Sequence, residues 1–272
     1  MRFFSFFHFL KRILTTFRVG KSTNPVMKIL KTAFVIAASF LLAAGCTDRN
    51  VQPRFGTVSL DTLLDNSRAE CRIAYDFASI RNAADSPALE AIEEANIAYF
   101  FQLEEFTRSA EEAIEASLEE IATTFFEEAQ LSGAGGSSYE ITAESTGEVV
   151  DTLVSYIISR WSYTGGAHGI YAIEYHTYSL AEGYELTAGE LFGEDRLPQL
   201  DSLIRRRIHE EYGTTDDEGL SALGFFPDEI GVTENFRVTA DGVVFHYNPY
   251  DIGCYALGPV EVEIGHEELE KL

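Results

Sequence analysis

Apolar residues recur with two different periods along this chain, and the order in which the periods alternate restricts it to a fold holding both helices and sheets. From Ala69 to Ile80 they alternate, with Cys71, Ile73, Tyr75 and Phe77 on one face, which predicts a strand. From Leu89 the spacing changes to three and four: Ile92, Ala95, Tyr99, Leu103, Phe106, then Ala110, Ile114, Leu118, Ile121 and Phe125. That pattern predicts one long helix or a pair broken near Thr107, Arg108 and Ser109, started at Ser86-Pro87. A glycine-serine stretch at 133–138 ends the helical part. Alternation then returns over 139–146 and 149–161, around a turn expected at Gly147, and again over 170–179. In the last of these Tyr171, Ile173, Tyr175 and Thr177 face one way, and Glu174, His176 and Tyr178 the other. Short links between three such runs predict an antiparallel meander.

The remaining third repeats the mixture. Thr187 and Glu190 have capping-box spacing, and 197–212 is an amphipathic helix with Leu200, Leu203, Ile204 and Ile208 inward, stopped by Gly213. An acidic loop is expected at 214–219, a hairpin of 236–238 and 243–247 about Asp241-Gly242, a last strand at 260–264 and a short helix from His266. The expected class is α+β: antiparallel sheets packed with helices, without a Rossmann-like parallel sheet.

Ahead of these elements, Lys28 and Lys31 precede an apolar run over 33–42 and small residues that lead to Cys46. This order is that of a secretory signal, too short for an ordinary spanning helix. Because it ends in cysteine it is similar to a bacterial lipoprotein signal, in which the thiol is lipidated and the chain is cut just before it. A plain anchor or an unmodified signal is the alternative. Residues 27–45 then form the signal, and 1–26, basic and rich in phenylalanine, an upstream extension or a basic membrane-surface segment. Residues 46–65, with Pro53 and Gly56, read as a polar tether, 66–146 as an N-terminal α+β half and 147–272 as a C-terminal one. The expected place is the cell envelope, lipid-anchored, in the periplasm or at the outer membrane.

Charge narrows the partners. Seven of the 20 basic residues and none of the 44 acidic ones precede Cys46, so the chain from Cys46 onward carries 13 against 44, a formal charge of −31. Such a surface repels nucleic acid and bare anionic lipid and steers cationic partners inward. If Cys46 is acylated, Cys71 and Cys254 remain. Either a disulfide or two free thiols fits their spacing, and without suitably placed histidines they make a poor metal site.

Two segments could carry a site. The loop Tyr163, Thr164, Gly165, Gly166, Ala167, His168, Gly169 could approach a ligand closely or simply turn tightly. It lacks the lysine and hydroxyl residue of a phosphate-binding loop, and His168, a possible general base, has no local nucleophile. The second segment holds His246, Tyr247, Tyr250, Asp251 and Tyr255 around Pro249, where tyrosines suit an interface or a packed core. His168 and His176 are weak as metal ligands, and neither a metal nor a cofactor is expected.

Residues 163–169, Leu186-Thr187 before Leu191-Phe192, then Phe236, 244–252, 255–258 and 260–264 occur together in an order that resembles a domain of unknown function. That domain is shared by RsiV-type anti-sigma factors and some peptidoglycan deacetylases. The resemblance covers about 150–272, with 66–146 similar to its companion half. It implies an extracytoplasmic α+β module without catalysis of its own, and in the anti-sigma factors the domain binds lysozyme. Here a lipoprotein cysteine stands where those relatives have a spanning helix. The expected function is a non-catalytic, lipid-anchored binding module for lysozyme, another cationic protein or peptidoglycan. A peptidoglycan hydrolase or deacetylase using His168 or His246, and a structural envelope lipoprotein, are the alternatives.

Overall fold

The computed structural model describes residues 51–65, 69–103, 109–132, 137–165 and 167–272, with the backbone alone at 126–132 and 137. Cys46 and the signal therefore lie outside the described residues, as does Gly166. Residues Asp48–Leu272 form one compact unit.

Five strands make the larger sheet in the order β1-β2-β3-β4-β5: β1 Phe55–Asp65, β2 Ala69–Ile80, β3 Ser137–Val150, β4 Leu153–Tyr163 and β5 Ile170–Ser179. The meander of β3, β4 and β5 is antiparallel as expected. β2 and β3 run parallel, because the crossover between them is the helix pair α1 Pro87–Phe101 and α2 Ala110–Ser132. Ser86 caps α1 through the amide of Ala88, Pro87 occupies its first turn, and Gln102 ends it in a left-handed conformation at φ 55°. The helices cover one face of the sheet. There Ile73, Tyr75 and Phe77 of β2 and Tyr156 and Ile158 of β4 meet Leu89, Ile92 and Phe100 of α1. Phe77 and Phe100 pack edge to face with centroids 5.1 Å apart, and Tyr75 and Phe101 likewise at 5.6 Å.

The chain then builds a second core. The capping box of Thr187 and Glu190 starts the short helix α3 Ala188–Phe192, and α4 Leu197–Tyr212 follows, ended by Gly213 at φ 64°. Leu200, Leu203, Ile204 and Ile208 of α4 pack on the sheet β6-β7-β8, made of Phe236–Val238, Gly242–Tyr247 and Val260–Gly265, with the helical turn α6 His266–Leu269 after it. β6 leans on the uncovered face of the large sheet: Ser155 exchanges hydrogen bonds with the amide and carbonyl of Val238 at 3.1 and 3.2 Å, and Thr177 donates to the carbonyl of Phe236.

Several expectations are corrected. Residues 55–65, read as the end of a tether, form β1. Their polar alternates Thr57, Ser59 and Asp61 mask an apolar side, Val58, Leu60 and Leu64, that packs on the first core. Gly147 is not a turn. It lies inside β3 because the ring of Phe55 crosses it so closely that a Cβ would stand 2.1 Å from that ring, and the turn comes at Asp151, φ 54°. A division at residue 147 thus falls within β3, and one sheet joins both halves. The acidic loop is largely the helix α5 Asp217–Leu223, capped by Asp216. Of the two alternatives left open for Cys71 and Cys254, the structure has the free thiols, Cys71 fully buried in the first core and Cys254 half-buried against Gly224.

Candidate functional site

The two sequence segments meet at one end of the uncovered sheet face. The loop after β4 brings the His168 ring onto Tyr255, stacked at 4.1 Å and 21°, and the Tyr255 hydroxyl donates to the carbonyl of Gly169 at 2.9 Å. Tyr171 of β5 meets Tyr255 edge to face at 6.2 Å, and Tyr250 lies 5.7 Å from it. Trp161, opposite Tyr171 in the β4-β5 register, fills the space above Gly169, where a Cβ would meet its indole nitrogen at 2.8 Å. That contact explains why a glycine follows His168. Thr164, Gly165 and His168 are exposed, Gly165 at φ 90°, and Tyr163 is half-buried.

Tyr250 is the most conspicuous member. It is 50% exposed and sits at φ 78°, in the left-handed region that an aromatic residue rarely enters. The turn holds it there: the Asn248 amide donates to the Asp251 carboxylate at 2.7 Å and the Asp251 amide to the Asn248 carbonyl at 3.0 Å. Backbone strain that keeps an apolar ring in solvent is a feature of ligand-contacting loops.

The second segment does not stay together. His246 is 1% exposed, with Nδ1 3.0 Å from Glu261 and Nε2 3.2 Å from the Asn248 side-chain oxygen. Burial would push Glu261 up, but hydrogen bonds from Tyr175 and His246 outweigh it and hold this carboxyl below its ordinary value. Tyr247 is buried as well, donating to the carbonyl of Gly231 at 2.5 Å, and its burial raises the phenol well above the usual range. His246 and Tyr247 are therefore core residues. Tyr250, Asp251 and Tyr255 belong to the surface.

Two asparagines that the sequence reading passed over fix this geometry. β5 is an edge strand, and Asn235 and Asn248 serve as its missing neighbour. Their side-chain oxygens accept from the amides of Tyr175 and Ile173, each at 2.7 Å, while both side-chain amides donate to the Ile173 carbonyl at 2.9 and 3.0 Å. Asn248 so links the edge of β5 to the turn that presents Tyr250. Periodicity carries no signal for such residues, because their partners are backbone groups remote in sequence.

Carboxylates continue the same face. The register sets Tyr163 opposite Glu140 and Trp161 opposite Thr142, and Glu140, Glu144 and Glu148 follow along β3 with Asp76, Glu70 and Asp61 beside them. Arg72, ion-paired with Asp61, and Arg237, ion-paired with Glu148, are the cations among these described residues. The face is acidic with an aromatic end.

His176 occupies the opposite, helix-covered side. Tyr99 stacks on it at 4.0 Å, Glu185 accepts from its Nδ1 at 2.7 Å and from the Tyr99 hydroxyl at 2.8 Å, and Glu174 lies 3.9 Å from Nε2. Arg160 joins Glu174 to the carbonyls of Tyr99 and Phe100 at the end of α1. Burial lowers the affinity of His176 for a proton, but the two carboxylates more than offset this and raise its pKa. Glu174, pushed up by burial, is brought below its usual value by His176 and Arg160. Among the described residues, no group of three or more His, Cys, Asp or Glu is arranged to hold a metal, and no helix is long and apolar enough to cross a membrane.

Residues 189–267 match the family DUF3298, described as a protein of unknown function. The fold is similar to that of a DUF3298 member from Bacteroides fragilis, 25% identical, over 81% of this chain and 93% of that one, with a TM-score of 0.70. It is also similar to a DUF3298 protein from Pseudomonas aeruginosa, 16% identical, over 81% of this chain and 94% of that one, with a TM-score of 0.55. No curated protein matches the chain.

Proposed function

We propose that this chain, whose residues 189–267 match DUF3298, is a non-catalytic binding module, held at the cell envelope through an acylated Cys46, whose aromatic and acidic face takes up a cationic cell-wall-active protein of the lysozyme kind. The observation that carries this reading is the meeting of the two loops: His168 stacked on Tyr255, with Tyr250 held out by its own turn. Rigid aromatic rings with polar tips give contact area at little entropic cost, and they are common anchors of protein interfaces. The carboxylates beside them and the charge of −31 after Cys46 favour a basic partner by steering and by local complementarity. His246, the other histidine considered as a base, is enclosed by Glu261, Asn248 and Tyr175, which favours binding over hydrolysis.

Titrating the chain from Asp48 onward with a cationic lysozyme at low and at raised salt tests the reading. Saturable micromolar or tighter binding that weakens as salt rises supports it. No binding at low salt removes the lysozyme version.

A further inference from the structure

The large sheet has two edges, and among the described residues only the β5 edge is closed. β5 is covered by Asn235 and Asn248, by the Leu186 amide on the Thr177 carbonyl and by the Tyr255 hydroxyl on the Gly169 carbonyl. At the other edge β1 has β2 as its one strand neighbour among the described residues, with all eleven residues in unbroken antiparallel register. Which of its backbone groups face outward follows from Ala78, opposite Thr57. The Ala78 amide donates to Ser145 and its carbonyl accepts from Tyr156, so both point away from β1. Thr57 and Ala78 are thus a non-hydrogen-bonded pair, and the amides and carbonyls of Thr57, Ser59, Asp61 and Leu63 point outward. Arg81 engages the Thr57 carbonyl, which leaves Ser59, Asp61 and Leu63 as the open stretch. Natural edges are usually blunted by lysine, proline or a bulge, and β1 has none of these, while Leu63 is 49% exposed.

Charge identifies the occupant. Between positions 54 and 81 four arginines (54, 68, 72, 81) balance four acids (61, 65, 70, 76), so this hairpin is neutral within a chain that carries −31 after Cys46. It is an edge of the sheet at which a second copy, equally acidic overall, meets no net charge. An antiparallel β1-β1 pair with Leu60 on the two-fold axis sets Ser59 against Asp61 of the second copy, so that no like charges stand opposite one another. We propose that the β1 edge is a self-association surface, at which two copies join their sheets into one continuous sheet of ten strands. This is independent of what the aromatic face binds, and it would present two such faces on one assembly.

Sedimentation equilibrium of the chain from Asp48 onward, over about 10 to 200 μM, tests it. The expected result is a dimer mass at the upper end. Ser59→Pro, which removes an outward amide without touching the β2 ladder, and Leu63→Lys, which charges the edge, each weaken the dimer at least tenfold with the unfolding midpoint held. A monomer at every concentration, or a dimer of unchanged affinity in Leu63→Lys, overturns the proposal. If Ser59→Pro lowers the midpoint, Leu63→Lys alone decides.

Discussion

Replacing Asn235 with alanine removes the acceptor for the Tyr175 amide and one of two donors to the Ile173 carbonyl. Tyr175 is buried, so its amide is left without a partner and without ready access to water. An unsatisfied buried donor costs about 1–3 kcal/mol, and the second, shared bond adds about 0.5–1 kcal/mol, for a loss of roughly 2–3 kcal/mol. Asn248→Ala strips the amide of Ile173 instead, and also removes the oxygen that faces the buried His246 Nε2. Ile173 is only half-buried, so hydration recovers part of its loss, but the buried imidazole nitrogen recovers none and the cost is again roughly 2–3 kcal/mol. Together the two changes deprive Ile173 of both side-chain donors, and the double variant exceeds the sum of the singles by about 0.5–1 kcal/mol. Urea unfolding reads these differences: with a slope of about 2–3 kcal/mol/M, Asn235→Ala lowers the midpoint by roughly 1 M. Amide exchange at Tyr175 should accelerate in Asn235→Ala and much less in Asn248→Ala. The clamp argument fails if both single variants lose less than about 0.5 kcal/mol.

Three shorter predictions concern the cores. Because the folded pKa of His176 lies above its unfolded value, its contribution to stability is complete below the ordinary histidine range and is lost as pH rises through the raised value. Unfolding free energy should fall across that window in the parent and less steeply in His176→Phe, and parallel pH profiles would contradict the Glu174-His176-Glu185 linkage. Gly147→Val should cost at least about 1–3 kcal/mol by driving a side chain into the Phe55 ring, and Phe55→Ala in the same chain should recover much of it, as a thermal-melt cycle would show. Burial pushes the Cys71 thiol up to about 11, so a thiol reagent should label the half-exposed Cys254 first and Cys71 only on unfolding. Quantitative labelling of neither thiol in denaturant would indicate a disulfide.

Much of the fold was legible because burial on one side leaves a period in the sequence. β2, β5, both crossover helices, α4 and the β6-β7 hairpin follow from that alone. β1 was not, since its inward positions mix Val58, Leu60 and Leu64 with Thr62, and its outward ones are the residues of a linker. Gly147 carries a turn signal although its role is to admit a ring from another strand, a tertiary demand that overrides the local one. Of the candidate site, His168, Tyr250 and Tyr255 were recognisable as unusual residues in loops. That they converge, and that His246 and Tyr247 of the same segment are both buried, depends on β7 being covered on both faces. Asn235 and Asn248 act on backbone groups 60 to 75 residues away and leave no local trace.

The convergence of the two loops into one binding surface is the central claim, and Tyr255 lies at its centre because it touches His168, Tyr171, Tyr250 and the Gly169 carbonyl. The most direct test is calorimetric titration of a cationic lysozyme into the parent chain and into Tyr255→Ala, at about 50 mM and about 300 mM salt. The account predicts saturable binding at low salt, weaker at high salt, and at least about tenfold weaker in Tyr255→Ala at both. Equal affinity in parent and variant, with the variant folded, would contradict it.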